Sequence, residues 1–467
     1  MDDSTRHPAS FRDPSGFVFR RGGRLFRQVN RIYRPHYERL VTSGLYDGLA
    51  ADGLIAAHDE VDVPAHAPES SYKIIEPVPV PFLSYPYEWC FGQLKAAAML
   101  TLDVQRRALD RGMTLKDASA FNVQFLGGRP VFIDTLSFET LRDGEPWVAY
   151  RQFCEHFLAP LALMAGVDVR LGRLWRANLD GVPLGLASKA LPPRSWLRPS
   201  LLIHVHLHAL AKRSHDHKAA RPASPRRFSK TAFLGLIDSL TSAVNGLTWA
   251  QGTEWSDYYG DTNYSPEALA HKERLVSEFL DAVAPAVVWD LGANTGRFSR
   301  IASARGSHTV AFDVDFGAVE RNYRDASARS DAKLLPLLAD LTDPTPGLGW
   351  DNRERTSLID RGPADAALAL ALIHHLAISG NVPLGKIAEF LAKLARTLII
   401  EFVPKTDSQV GRLLVVREDL FPDYTRDAFE AAFARHFRIE RVEPIDGTDR
   451  VLYLMRANGG RDRIPEA

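Results

Sequence analysis

Apolar positions in the second half of the chain fall into a repeating pattern. Short runs of consecutive apolar residues end in an acidic or polar side chain and alternate with segments whose apolar residues recur at helical spacing. In Val287-Val-Trp-Asp-Leu-Gly-Ala-Asn-Thr-Gly296, the first three residues read as a strand that ends in Asp290. Gly292 and Gly296 mark a tight turn, and Phe298, Ile301 and Ala302 open a helix. Residues 309–312 ending in Asp313, 334–339 ending in Asp340, 365–376 and 397–403 repeat the strand signal, and 387–394 is amphipathic and helical. The near-continuous apolar run inside 365–376 suits a central parallel strand covered on both faces. A helix around Phe429 and strands over 437–442 and 450–455 complete the tail. Strand, tight loop and helix in this order predict a Rossmann-like α/β sheet, in which ligands bind at the carboxyl ends of the strands. Asp290, Asp313, Asp340, His374 and Glu401 fall at such ends.

The first half is patterned differently. Residues 17–29 are two β-like runs around Gly22-Gly23, a hairpin signal. Residues 72–76 and 80–85 read as short strands, and 88–109 as a long amphipathic helix through Phe91, Leu94, Ala98 and Leu102. The segment 115–125, a turn at Gly127-Gly128 and the run 130–134 follow, and an α+β domain is expected over 1–211. The polar, basic stretch 212–227 reads as a solvated connector, contact with phosphate or an anionic partner being the other reading. It places a linker at 212–230 and a second domain at 231–467, entered by a helix over 228–244. Just upstream, His204, His206 and His208 share one face if the segment is a strand, where they suit a metal, and diverge if it is a helix. No carboxylate or cysteine beside them completes a site, so no metal is expected there.

With 467 residues the chain is too long for one core. Lys+Arg and Asp+Glu are both 57, so global charge offers no reason to expect nucleic acid as a partner. Cys90 and Cys154 make no disulfide framework and no zinc pattern. The N-terminus shows no basic-then-apolar signal, and no run approaches the ~20 apolar residues of a membrane span, so a cytoplasmic protein is expected.

The glycine spacing bears on the ligand. A dinucleotide loop wants Gly-x-Gly-x-x-Gly so that backbone approaches a pyrophosphate. Here Asp290-x-Gly292-x-x-x-Gly296 carries Ala293 and Asn294 instead, and no Gly-Lys-Ser/Thr follows. Asp290-Leu-Gly-Ala-Asn-Thr-Gly296 resembles motif I of class I S-adenosylmethionine (SAM) methyltransferases, with the likeness extending over about residues 250–456. The resemblance implies SAM as cofactor, held by Asp290, Gly292, Asn294 and Gly296. Asp313 would take the ribose diol and Asp340 the adenine amino group. In the aromatic segment 255–264, Tyr259 and Tyr264, together with Lys272, either line the pocket or pack on the sheet. His374 and His375, after the fourth strand, either serve as the catalytic base, His374 being slightly favoured by its place at the strand end, or bond to backbone at the turn. The chain lacks the Asn/Asp-Pro-Pro-Tyr/Phe motif that amino-methyltransferases carry there, so O-methylation leads, and Glu401 and Lys405 are candidates for the substrate wall.

In the first half, Asp117, Asn122 and Asp134 match the spacing of the catalytic core of protein-kinase-like phosphotransferases. That resemblance implies a proton-accepting Asp117, with Asn122 and Asp134 holding Mg²⁺ on ATP. Leu115-Lys116 stands where His-Arg is usual, Ile-Asp-Thr replaces Asp-Phe-Gly, and no strand lysine is evident. Over most of its length the chain also resembles bacterial two-domain SAM methyltransferases, nodulation-associated ones among them, through Tyr85-Pro-Tyr-Glu-Trp89 and Leu115-Lys-Asp-Ala-Ser119. This implies a small-molecule or saccharide acceptor recognised by the N-terminal domain. Kinase-like or bifunctional phosphotransfer, and a SAM-binding scaffold without turnover, stay open beside it.

Overall fold

The computed structural model describes residues 4–211, 228–249, 264–408, 410–411 and 421–459. The basic stretch 212–227 and most of the aromatic segment, Tyr259 included, lie outside them. The chain forms two compact units: Met1–Ala250 with Leu348–Arg355, and Gln251–Gly347 with Thr356–Glu466.

In the first unit, β1 (Ser4–Arg6), β2 (Gly16–Arg21), β3 (Arg24–Asn30), β4 (His58–Glu60) and β5 (Ser71–Pro77) make an antiparallel sheet in the order β1-β2-β3-β5-β4. The expected hairpin is β2–β3. Arg21 sits opposite Arg24, and Gly22 and Gly23 between them take φ of 57° and 77°, which a two-residue turn requires and a side chain resists. Alternation along the strands puts Phe26 and Ile74 on one face, and Val29 and Ile75 on the other with Tyr33, Tyr37 and Leu136. Residues 80–85 form no strand, contrary to expectation: Pro79 and Pro81 have no N–H to give a ladder.

The Phe91–Asp110 helix follows and buries Leu94, Ala98 and Leu102. β6 (Met113–Leu115) then pairs with β9 (Phe138–Thr140), and β7 (Val123–Leu126) with β8 (Arg129–Phe132). Helices and antiparallel strands together make the α+β domain expected of the first half. The Lys230–Asn245 helix, capped by Ser229, groups with this unit instead of opening the second. It packs on Phe91–Asp110, sets Phe233 against Trp147, and receives hydrogen bonds from Lys95 Nζ at the Asn245 and Leu247 carbonyls. The three spaced histidines lie on a helix, where His204 and His208 both meet Tyr150 and His206 faces elsewhere. His204 bridges the hydroxyls of Tyr150 and Ser239 at 2.7 and 2.8 Å, His206 bridges Ser188 and Ser195 at 2.8 Å each, and His208 stacks on Tyr150.

The second unit is built on β10 (Val287–Leu291), β11 (His308–Asp313), β12 (Leu334–Leu338), β13 (Ala364–Ala369), β14 (Ala395–Phe402), β15 (Phe437–Pro444) and β16 (Val451–Ala457), in the order β12-β11-β10-β13-β14-β16-β15. β10 through β14 run parallel, and β16 is antiparallel to both of its neighbours. This is the seven-stranded methyltransferase sheet, with its first strand at the centre and the order reversing there. β10 is buried along its whole length, as a two-sided parallel strand must be. Its Val288 packs with Leu368, Ile399 and Leu454 of neighbouring strands and with Leu275 and Phe279 of the Pro266–Val283 helix. Side chains start the helices as the sequence directs: Ser265 accepts from Ala268 N and Asp315 from Ala318 N.

Candidate cofactor-binding site

The loop after β10 is fixed by its backbone. Gly292 and Ala293 N both donate to the Phe312 carbonyl of β11 at 2.9 Å. Gly292 and Gly296 take φ of 77° and 78°, and a Cβ on Gly296 would meet the Asn322 side chain at 2.3 Å. These two positions therefore admit only glycine. Asn294 is also left-handed, at φ 50°, and its N–H donates to Asp313 Oδ2 at 2.7 Å. Asp313 Oδ1 accepts from Asp315 N at 2.9 Å. The acid that ends β11 is thus tied to the loop that follows β10.

The carboxyl ends of the strands open into a cavity of about 260 Å³. Of the residues singled out in the sequence, Tyr264, Lys272, Asp290, Gly292, Asn294, Asp313 and Asp340 line it, and Gly296 does not. Asp290 receives a hydrogen bond from Ser299 Oγ at 2.6 Å. Burial pushes both Asp290 and Asp313 up to about 6. Asp340 accepts from the backbone and hydroxyl of Thr342.

His375 lines the cavity as well. His374 lies beside it, ring centroids 4.2 Å apart, but is only 1% exposed, and its Nδ1 has no partner among the described residues. Burial lowers both rings, His374 strongly.

Beneath the cavity lies a charged group that sequence reading only partly found. Glu401, fully buried on β14, accepts from Lys272 Nζ at 2.6 Å, Ala371 N at 2.8 Å, Arg450 Nη1 at 3.2 Å and the Tyr264 hydroxyl. Arg450 continues to Asp407 at 2.7 Å. Burial alone would raise Glu401, but the Lys272 and Arg450 charges reverse this and hold it down at about 2. Burial draws Lys272 down, while the Glu401 charge and hydrogen bond act the other way. Glu401 therefore anchors the cavity wall from below. Lys405, the other wall candidate, donates to the Phe421 carbonyl. Arg450 sits at the start of a strand with no motif around it, and only its pairing with Glu401 reveals it.

The first unit brings Asp117, Asn122 and Asp134 together, but with their polar atoms engaged. Asp134 forms an ion pair with Arg27 of β3 and accepts from Leu136 N at 3.0 Å and Ser137 Oγ at 2.6 Å. Burial would raise its carboxyl, yet Arg27 and these donors bring it below its ordinary value. Asn122 Nδ2 donates to the same Ser137 hydroxyl at 3.1 Å, and Asp117 accepts from Ser119 N and Gln152 Nε2. Lys116 is drawn to Ser15 at 2.7 Å and Asp13 at 3.4 Å, in the loop before β2. Asp134 is thus neutralised by the Arg27 guanidinium, and the Ser137 hydroxyl already joins it to Asn122, so the residues that would hold Mg²⁺ are engaged with one another and do not fit that ion.

No protein-family model matches the chain. Solved structures that it resembles over less than half its length include magnesium protoporphyrin IX methyltransferase (ChlM) from Synechocystis PCC 6803, at 17% identity, covering 44% of this chain and 93% of that one with a TM-score of 0.32. Another is the N-methyltransferase NodS from Bradyrhizobium japonicum WM9, at 10% identity, 42% and 99% coverage and a TM-score of 0.32. A third is the bifunctional kinase-methyltransferase WbdD, at 14% identity, 43% and 42% coverage and a TM-score of 0.31. The likeness to nodulation protein NoeA of Rhizobium meliloti (strain 1021) runs nearly end to end, at 37% identity over 459 residues, 96% of this chain and 95% of its relative. The chain therefore belongs to the NoeA family of nodulation proteins.

Proposed function

We propose that the protein is a SAM-dependent methyltransferase acting on a hydroxyl of a small-molecule or saccharide acceptor, with the N-terminal unit serving acceptor recognition. The observation that carries this reading is the acid content of the cavity. Asp290, Asp313 and Asp340 line it together, which repels a pyrophosphate and suits a phosphate-free ligand with a diol and cationic centres. Asp313 would accept from the ribose hydroxyls, Asp340 from the adenine amino group, and the Gly292–Asn294 backbone would hold the amino-acid end. When bound, SAM supplies a methyl carbon activated by a sulfonium. The chain's own part is to align the acceptor oxygen with that carbon, exclude water, and take the hydroxyl proton. His375 is the better placed base: burial keeps its ring neutral at neutral pH, and it lines the cavity. His374, buried behind it, serves as a positioning residue.

The test is calorimetric titration of SAM into wild type and Asp313→Ala, followed by transfer of labelled methyl to a panel of hydroxylated acceptors. Binding by wild type, lost or weakened at least about tenfold in Asp313→Ala, supports the reading. In His375→Ala, turnover should fall by about 10²–10⁴ with SAM affinity kept. Failure of wild type to bind SAM would sink the proposal.

A further inference from the structure

The helical end of the first unit presents apolar side chains where a surface helix normally shows polar ones. In the helix running from Pro199 to Ala211, the inward positions Leu201, Val205 and Ala209 are buried. The outward ones are Ile203, Leu207 and Leu210, at 49%, 48% and 46% exposure, and every exposed position between 201 and 211 is apolar. The Leu184–Ala190 and Pro193–Leu197 segments pack beside this helix and add Leu186, Trp196 and Leu197, the last 85% exposed. The surface is held in shape from within. His206 bridges Ser188 and Ser195, one from each neighbouring segment, and Trp196 stacks on its ring at 4.2 Å. A monomeric soluble surface seldom gathers this many large apolar side chains without using them.

Charge says what covers the face. Over the whole chain Lys+Arg and Asp+Glu balance at 57 each, but residues 184–227 hold nine Lys/Arg and a single acid, Asp216. Three of those cations, Lys189, Arg194 and Arg198, are exposed among the apolar side chains. The other six follow in the sequence, within 212–227. Leucine, isoleucine and an amphipathic tryptophan ringed by cations match the acyl and headgroup levels of an anionic bilayer. Among the described residues no helix is long and apolar enough to cross a membrane, so contact would be along the surface. We infer that the face formed by residues 186–210 docks the protein on an anionic lipid surface.

The test is co-sedimentation of the full chain with vesicles of phosphatidylcholine alone and with phosphatidylglycerol added, at low and high salt. Binding is expected only with the anionic lipid. It should weaken as salt screens the charges, and by at least about tenfold in the triple variant Leu197→Ser, Ile203→Ser, Leu207→Ser, which leaves the charge unchanged. All three side chains are exposed, so an unchanged thermal melt shows that the variant folds. Absence of binding by folded wild type overturns the inference, as does equal binding by wild type and variant, which would assign the attraction to charge alone. A wild-type dimer in light scattering that the triple variant returns to monomer would overturn it too, assigning the face to a second copy of the chain.

Discussion

Asp313 shows how one side chain can couple the cofactor to pH. Its ordinary value is 3.8, and burial raises it to about 6. A raised carboxyl means that the folded, unliganded chain gains by keeping the proton. That share of stability is full below the ordinary value and is lost as pH rises through about 6. Ribose hydroxyls, as donors, prefer the ionised form, so cofactor binding runs the other way. SAM affinity should hold above pH 7 and drop about tenfold for each unit below about 6. Titrations between pH 5 and 8 check this, and an affinity that does not change across that range would rule out Asp313 as the diol acceptor. The two histidines separate at the same scale. Adjacent in sequence and equal as chemical types, they differ in that one lines the cavity and the other is sealed beside it.

Among the elements, those of the second unit were legible because each strand is a short apolar run closed by a polar residue, a pattern that two-sided burial imposes. Asp290, Asp313 and Asp340 could be found from position alone. Residues 80–85 misled because their apolar content looks like a strand while their prolines forbid one. The histidines at 204–208 stayed ambiguous because spacing cannot choose between strand and helix. Arg450 and Arg27 carried no local signal, since each matters only through a partner far away in sequence: Glu401 for one, Asp134 for the other. The buried group around Glu401 on β14 gives the prediction at this scale. Glu401→Gln leaves Lys272 and Arg450 without their shared countercharge, and removing one partner of a buried pair costs about 3–5 kcal/mol. Denaturant unfolding of the second unit should show that loss. A change below about 1 kcal/mol would mean that water or Asp407 can take over the charge.

For the molecule as a whole, the question is what the first unit does. Arg27 and Ser137 engage Asp134, and Ser137 also takes Asn122, the two side chains that a metal on a nucleotide would need. Titration of Mg²⁺-ATP should therefore give no binding heat in wild type, and Asp134→Ala should lower stability by leaving Arg27 without its buried countercharge. Nucleotide binding that disappears in Asp134→Ala would reverse this and return phosphotransfer to contention. Acceptor recognition without phosphotransfer matches a chain whose acid-lined cavity lies in its other unit.

Leu348–Arg355 sits in sequence between β12 and β13, yet it completes the first unit: Glu354 takes a bidentate pair from Arg12 at 2.6 and 2.9 Å, and Arg355 lies 4.0 Å over the Phe121 ring. This has a consequence for biosynthesis. A chain leaving the ribosome folds its N-terminal part first, but here the last pieces of that part emerge only after β10, β11 and β12 have been made. Until then Arg12 has no Glu354 to meet and the Phe121 ring has no guanidinium over it. The first unit must wait for the second to be half synthesised, and a gene cut at residue 250 would encode a unit that can never finish.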